Sequence, residues 1–142
     1  STPGSMWLIY ATPTPTPTPA PSNPDITDSG VLIECIFYEG LVPVTEADEY
    51  VQILNTNSSP VHMLNWSLRN ISVSNGPRFD FPAYWFESGK RIRVYTNEIH
   101  PEWGGFSFQS TNPIWPNDYP NSAVLYEGGT QKSTNTGWPN GC

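Results

Sequence analysis

After residue 30 the chain alternates apolar and polar residues at period two, in short runs. Val31, Ile33, Cys35 and Phe37 alternate with Leu32, Glu34 and Ile36, which predicts a first strand buried on one face and partly covered on the other. Val51 and Ile53 alternate with Tyr50, Gln52 and Leu54 in a second run. Leu64, Trp66 and Leu68 fall on one side of a third, opposite Asn65, Ser67 and Arg69, with Trp66 as the expected central core aromatic. Phe79 and Phe81, then Ile92 and Val94, repeat the pattern. The expected core therefore comprises Val51, Ile53, Leu64, Trp66, Leu68, Phe79, Phe81 and Val94. Pro60, Gly76-Pro77, Gly89, Gly104-Gly105, Pro116, Pro120 and Gly128-Gly129 interrupt the runs at intervals typical of sandwich turns, and no segment sustains a helical period. Periodicity alone thus predicts an all-β sandwich from Asp25 to Cys142.

Ahead of residue 25 the pattern stops. Residues 12–24 repeat Thr-Pro four times and then read Ala20-Pro21-Ser22-Asn23-Pro24, without charge and with almost nothing to bury. Each proline fixes φ and biases its predecessor to extended geometry, so this linker is expected to form a polyproline-II rod of roughly 40 Å at about 3.1 Å per residue. Residues 1–11 end in the apolar run Met6, Trp7, Leu8, Ile9 and Tyr10, too short to span a bilayer. Three readings stay open for that run: the remnant of a removed signal or membrane helix, an incidental sequence, or a strand donated to another molecule. The third is the sharpest, because a short apolar segment on a spacer can add to a sheet edge or groove of the next copy. Donor and acceptor would then be different surfaces of one chain, so the contact could repeat without closing and build a fibre.

At 142 residues the chain suits one domain with a proper core. Charged residues make up only 13%, whereas six Trp accompany seven Tyr and six Phe, as in extracellular all-β domains. The net charge of -7 and pI near 4.5 oppose phosphate-backbone attraction, so nucleic acid is not an expected partner. Lys90, Arg91 and Arg93 hold half of the six cations, but Arg91 and Arg93 at period two would line the solvent side of one strand.

The two cysteines lie in the first strand run, Cys35, and at the last residue, Cys142. First and last strands of a sandwich are often neighbours, so a bridge between them would close a loop of about 100 residues, worth on the order of 4 to 5 kcal/mol, and would need an oxidising compartment. Two separate free thiols are the alternative.

Several segments resemble the lamin tail domain, an immunoglobulin-like β-sandwich of nuclear lamins and of many bacterial secreted or cell-surface proteins. The similarity runs from about Leu32 to Gln131. Glu49-Tyr50-Val51-Gln52-Ile53-Leu54-Asn55 matches the family's acidic Glu-Tyr-Val-x-Ile-x-Asn strand, and Met63-Leu64-Asn65-Trp66-Ser67-Leu68 matches its Leu-x-Gly-Trp-x-Leu element. Phe79-Asp80-Phe81-Pro82, Arg93-Val94-Tyr95-Thr96 and Trp115-Pro116-Asn117 follow in the family's order. Asn65 replaces the usual glycine, which its tolerance of left-handed backbone permits. Asp118-Tyr119-Pro120-Asn121 replaces the Gly-Asp that commonly follows the tryptophan turn. The resemblance implies an immunoglobulin-like fold and a role in association, display or scaffolding, with no recurrent catalytic constellation and no specified partner. The heptad rod of nuclear lamins is missing here, so a nuclear filament role is not implied.

Candidate chemistry is sparse. His62 and His100 stand outside any motif, and Gly-x-Ser-x-Gly, His-Glu-x-x-His and phosphate-cradling loops are absent, so no catalytic residue, metal ligand or cofactor is expected. A carboxylate pair for glycoside cleavage could be drawn from Glu39, Glu46, Asp48, Glu49, Glu87, Glu98 and Glu102, as from any acidic domain. Glu46, Asp48 and Glu49 form the densest acidic loop, read as a solvated turn against a calcium site because the ligand spacing of a calcium loop is lacking. Tyr84-Trp85-Phe86 and Trp103 are read as core or rim of the sandwich against stacking platforms for sugars. Three Asn-x-Ser matches, at Asn57, Asn65 and Asn70, arise readily by chance in such a composition and would matter only in a eukaryotic secretory pathway. The expectation is a non-catalytic extracellular or cell-surface structural protein that self-associates through Met6 to Tyr10. It would have other copies of itself as partners, no nucleic acid and no membrane insertion. The alternative is a display or adhesion module for a protein or glycan ligand.

Overall fold

A computed structural model describes residues 30–117, 120–137 and 141–142. The candidate donor segment Met6 to Tyr10, the Thr-Pro linker and Asp118-Tyr119 lie outside these residues. The strands are β1 (Val31–Phe37), β2 (Tyr50–Asn55), β3 (Val61–His62), β4 (Trp66–Asn70), β5 (Arg78–Asp80), β6 (Trp85–Phe86), β7 (Arg91–Tyr95), β8 (Phe106–Ser107), β9 (Asn121–Glu127) and β10 (Thr130–Gly137). They form two four-stranded sheets, ordered β1-β2-β7-β8 and β10-β9-β4-β5, with a small β3-β6 sheet beside them. All pairings are antiparallel except β7 with β8, which a 3-10 turn over Pro101–Trp103 separates in the chain. No helix among the described residues is long and apolar enough to cross a membrane.

Both sheets bury their inner faces in one core. Val31, Ile33, Ile36, Val51, Ile53, Ile92 and Val94 come from the first sheet, and Trp66, Leu68, Ala123 and Leu125 from the second. Phe106 of β8 and the loop and short-strand residues Phe81, Phe86, Met63 and Trp115 complete the core. Phe79 is half-buried and meets Phe81, Phe106 and Phe108 edge-on, the arrangement aromatic quadrupoles favour.

Two expectations from the alternation are corrected. A bulge between Ile33 and Cys35 shifts the register of β1 against β2, so that Ile36 pairs with Val51 and Phe37 with Tyr50. Ile36 therefore points into the core, while Cys35 and Phe37 share the outer face with Gln52 and Tyr50. Leu64, expected in the core, is 47% exposed, and Met63 is fully buried instead. Asn65 has φ 74, and the Trp66 amide donates to the Met63 carbonyl at 3.0 Å, so a left-handed turn precedes β4. Period-two alternation begins only at Trp66, and the turn swings Leu64 outward.

The strand directions define two poles. β1 and β2 pair from Val31 with Asn55 to Phe37 with Tyr50, so Gly30, where the described chain begins, lies at a proximal pole and the 38–49 loop at a distal one. β4 and β9 run between Trp66–Glu127 and Asn70–Ala123 pairs. The 71–77 loop and the segment before Asn121 join the distal pole, where the Ile114 amide meets Glu49.

The open side between β1 and β10 is covered by side chains and by the C-terminus. Ser133 Oγ accepts from the Ile33 amide at 3.1 Å, and Asn135 Nδ2 donates to the Ile33 and Glu34 carbonyls at 3.4 and 3.3 Å. Gly141 bridges Ile36 in parallel, and the Cys142 amide donates to the Ile36 carbonyl at 3.3 Å. Cys35 and Cys142 form a disulfide spanning 107 positions. Reduction is expected to lower the free energy of unfolding by on the order of 3 to 5 kcal/mol. Guanidinium midpoints with and without reductant measure this, and coincident midpoints would show that the bond constrains nothing.

Candidate functional site

Three loops converge at the distal pole and border an open groove of about 430 Å³. Val73 and Pro77 supply one wall from the β4–β5 loop, Pro113, Ile114 and Pro116 the other from the segment between β8 and β9, and Glu46 and Asn117 stand at one end. Its size is that of sites which bury a small ligand or a few side chains.

Buried side chains hold the walls together. Asn70, 1% exposed at the end of β4, donates through Nδ2 to the Ile114 carbonyl and accepts through Oδ1 from the Ser72 amide at 2.7 Å. One carboxamide thus joins the two walls. Ser122 adds a second tie, its amide donating to Ser72 Oγ at 2.7 Å and its carbonyl accepting from the Ile71 amide at 2.9 Å. A Cβ on Gly76 would stand 2.0 Å from the Asn70 carbonyl oxygen, so the 71–77 loop closes against β4 only with glycine there.

Glu49 anchors the same pole from β2's side. Its Oε1 accepts from Thr96 Oγ1 at 2.8 Å and from the Ile114 amide at 3.0 Å, with the residue fully buried. Oε2 makes no well-aligned hydrogen bond among the described residues, with the Trp115 amide its nearest donor influence. Burial pushes its pKa up to about 7, against the Ile114 amide, the Thr96 hydroxyl and, more weakly, the Trp115 amide, which favour the charged form, with the Glu46 charge adding to the rise. Glu46 itself accepts from the Gly40 amide at 3.0 Å and from Asn117 Nδ2 at 3.1 Å. Asp48 accepts from the Leu41 and Val42 amides at 2.8 and 3.0 Å. The three carboxylates thus serve three separate loop contacts. Among the described residues, no group of three or more His, Cys, Asp or Glu could hold a metal ion.

This bonding keeps apolar side chains in water. Leu41 and Val44 are 81% and 88% exposed, and Ile71 and Val73 are 48% and 42% exposed at the same pole. Val44 has φ 71, a left-handed conformation that costs a β-branched residue on the order of 1 to 3 kcal/mol. The sequence reading missed the groove because its lining falls in stretches taken as turns. Its available signal was aliphatic residues, Ile71, Val73 and Ile114, inside segments rich in Ser, Asn and Pro.

A second surface lies on the outer face of β1-β2-β7. Arg93 is stacked between Tyr50 and Trp103, its guanidinium carbon 4.0 and 3.8 Å from the two ring centroids. It also donates to Gln52 Oε1 at 2.9 Å and to the Tyr95 hydroxyl at 3.0 Å. Arg91 pairs with Glu34 at 2.8 Å. Both arginines lie on the outer face, as expected, but each is matched by its neighbours. Tyr95 stacks on His100 at 4.1 Å, and the Glu98 carboxylate bonded to that imidazole holds it above its ordinary pKa. Trp103 thus joins this stack. Trp85 lies elsewhere, 60% exposed near the proximal pole and packed on His62 at 4.6 Å, while Phe86 is fully buried and Tyr84 packs on Phe106.

No protein-family model matches the chain, and no curated protein matches it.

The raised Glu49 pKa carries a definite sign. The folded state holds the proton more tightly than the unfolded chain, so this contribution is complete below about pH 4.5 and is lost as pH rises through about 7. Stability is expected to fall across that window by on the order of 2 kcal/mol, and Glu49→Gln should flatten the slope. Urea midpoints at pH 5 and pH 8 for both proteins test it; an unchanged slope in the variant would assign the effect to another group.

Proposed function

We propose that this chain is a non-catalytic, exported structural subunit, an immunoglobulin-like sandwich of the lamin-tail kind that associates head to tail through its N-terminal segment. One observation carries the reading: the described chain begins at the proximal pole, while the exposed aliphatic side chains of two loops gather at the distal pole. An apolar arm leaving one end and an apolar surface at the other are complementary between copies and repeat without closing. The Cys35–Cys142 bond supports an oxidising, extracellular or cell-surface setting. The resemblance to lamin tails, with Asn65 left-handed where the family has glycine, supports the fold type.

Concentration-dependent oligomers are the expected outcome for the full chain in sedimentation velocity, with threads visible by electron microscopy. Deleting residues 1–11 should leave a monomer of unchanged melting temperature. A full chain that stays monomeric at high concentration would defeat the proposal.

The second reading, a display module for glycans, draws on the exposed Trp85 ring held against His62. It predicts retention on a polysaccharide column that Trp85→Ala abolishes. Lack of retention on any polymer would remove it.

A further inference from the structure

We propose that the groove between the 71–77 and 113–117 segments is the receptor for Met6 to Tyr10 of a second copy, and that it takes aromatic side chains rather than an added strand. This rests on the head-to-tail reading above and assigns its acceptor.

Edge geometry disfavours strand addition. Polar groups along β1 are occupied by Ser133, Asn135 and Cys142, and β1 and β10 pack side by side. The remaining edges, β5, β8 and the two strands β3 and β6, are two or three residues long, too short to register a donated strand. The groove is the alternative surface. Val73, Pro77, Pro113, Ile114 and Pro116 give it apolar walls, and Asn70 and Glu49 fix those walls before any ligand arrives. A cleft of about 430 Å³ has room for a large ring and a neighbouring side chain.

The chain's own N-terminal segment fits this site in chemistry, charge and reach. It offers Trp7 and Tyr10 as anchors, the residue types that dominate binding energy at interfaces. Residues 1–24 carry no charged side chain, so they approach an acidic domain without repulsion. The linker, at roughly 40 Å if extended, exceeds the roughly 23 Å length of a seven-residue strand such as β1, so a tip can reach the facing pole of a neighbour.

The test uses a fluorescent peptide of residues 1–11 and the chain lacking those residues, in which the described core is complete. Saturable binding is expected, weakened at least tenfold by Val73→Glu and unchanged by Leu64→Glu, an exposed site at the proximal pole. Amide shifts at residues 73 and 114–117 on adding peptide to the unsubstituted truncated protein give a readout that needs no substitution. Equal binding by both variants, or shifts confined to other residues, would overturn the groove as acceptor while leaving self-association intact. A monomeric full chain whose groove resists the peptide, beside a truncated chain that binds it, would mean the arm occupies its own groove and would overturn the second copy as partner. Absence of oligomers together with absence of peptide binding would overturn both this assignment and the reading beneath it.

Discussion

The distal pole depends on two buried polar side chains, Asn70 and Glu49, which join its loops beyond the few backbone bonds between them. Asn70 joins the Ser72 turn to Ile114, and Glu49 joins Ile114 to Thr96 beyond β7. Each replaces water that the amides of an exposed loop would otherwise keep. Leaving such groups unpaired in a dry environment would cost on the order of 1 to 3 kcal/mol each, so the loops cannot drift apart without losing that energy. The groove is consequently a fixed feature of the fold, and the exposure of Val73, Leu41 and Val44 is maintained by structure.

A cost accompanies this arrangement. Val44 sits in a left-handed conformation, and Glu49 keeps one carboxylate oxygen without a well-aligned hydrogen bond among the described residues. Strain and a partly satisfied buried carboxyl persist only where the surroundings over-determine them. Both occur at the pole where Leu41, Val44, Ile71 and Val73 are exposed.

The sandwich closes its long side by a different route. β1 and β10 belong to separate sheets, so hydroxyl and carboxamide side chains take the place of a ladder, and the disulfide ties the C-terminus to β1. This covers the β1 edge against unwanted pairing.

Strand placement was legible in the residues because a half-buried sheet demands period-two alternation, which β2 keeps throughout and which spaces the core residues Trp66 and Leu68 of β4 and Ile92 and Val94 of β7. The amino-acid order by itself therefore determined an all-β chain, the inward set Val51, Ile53, Trp66, Leu68 and Val94, and an uncharged proline-rich arm before the domain. Tertiary structure alone decided that a bulge turns Ile36 inward, that a left-handed Asn65 sends Leu64 out, that Arg93 is clasped between Tyr50 and Trp103, and that three distant loops form one groove. Alternation is a local consequence of strand geometry. Register shifts, edge closure and loop convergence depend on which partners arrive from 20 to 100 residues away, as when Ile33 meets Ser133, and no local pattern encodes that meeting.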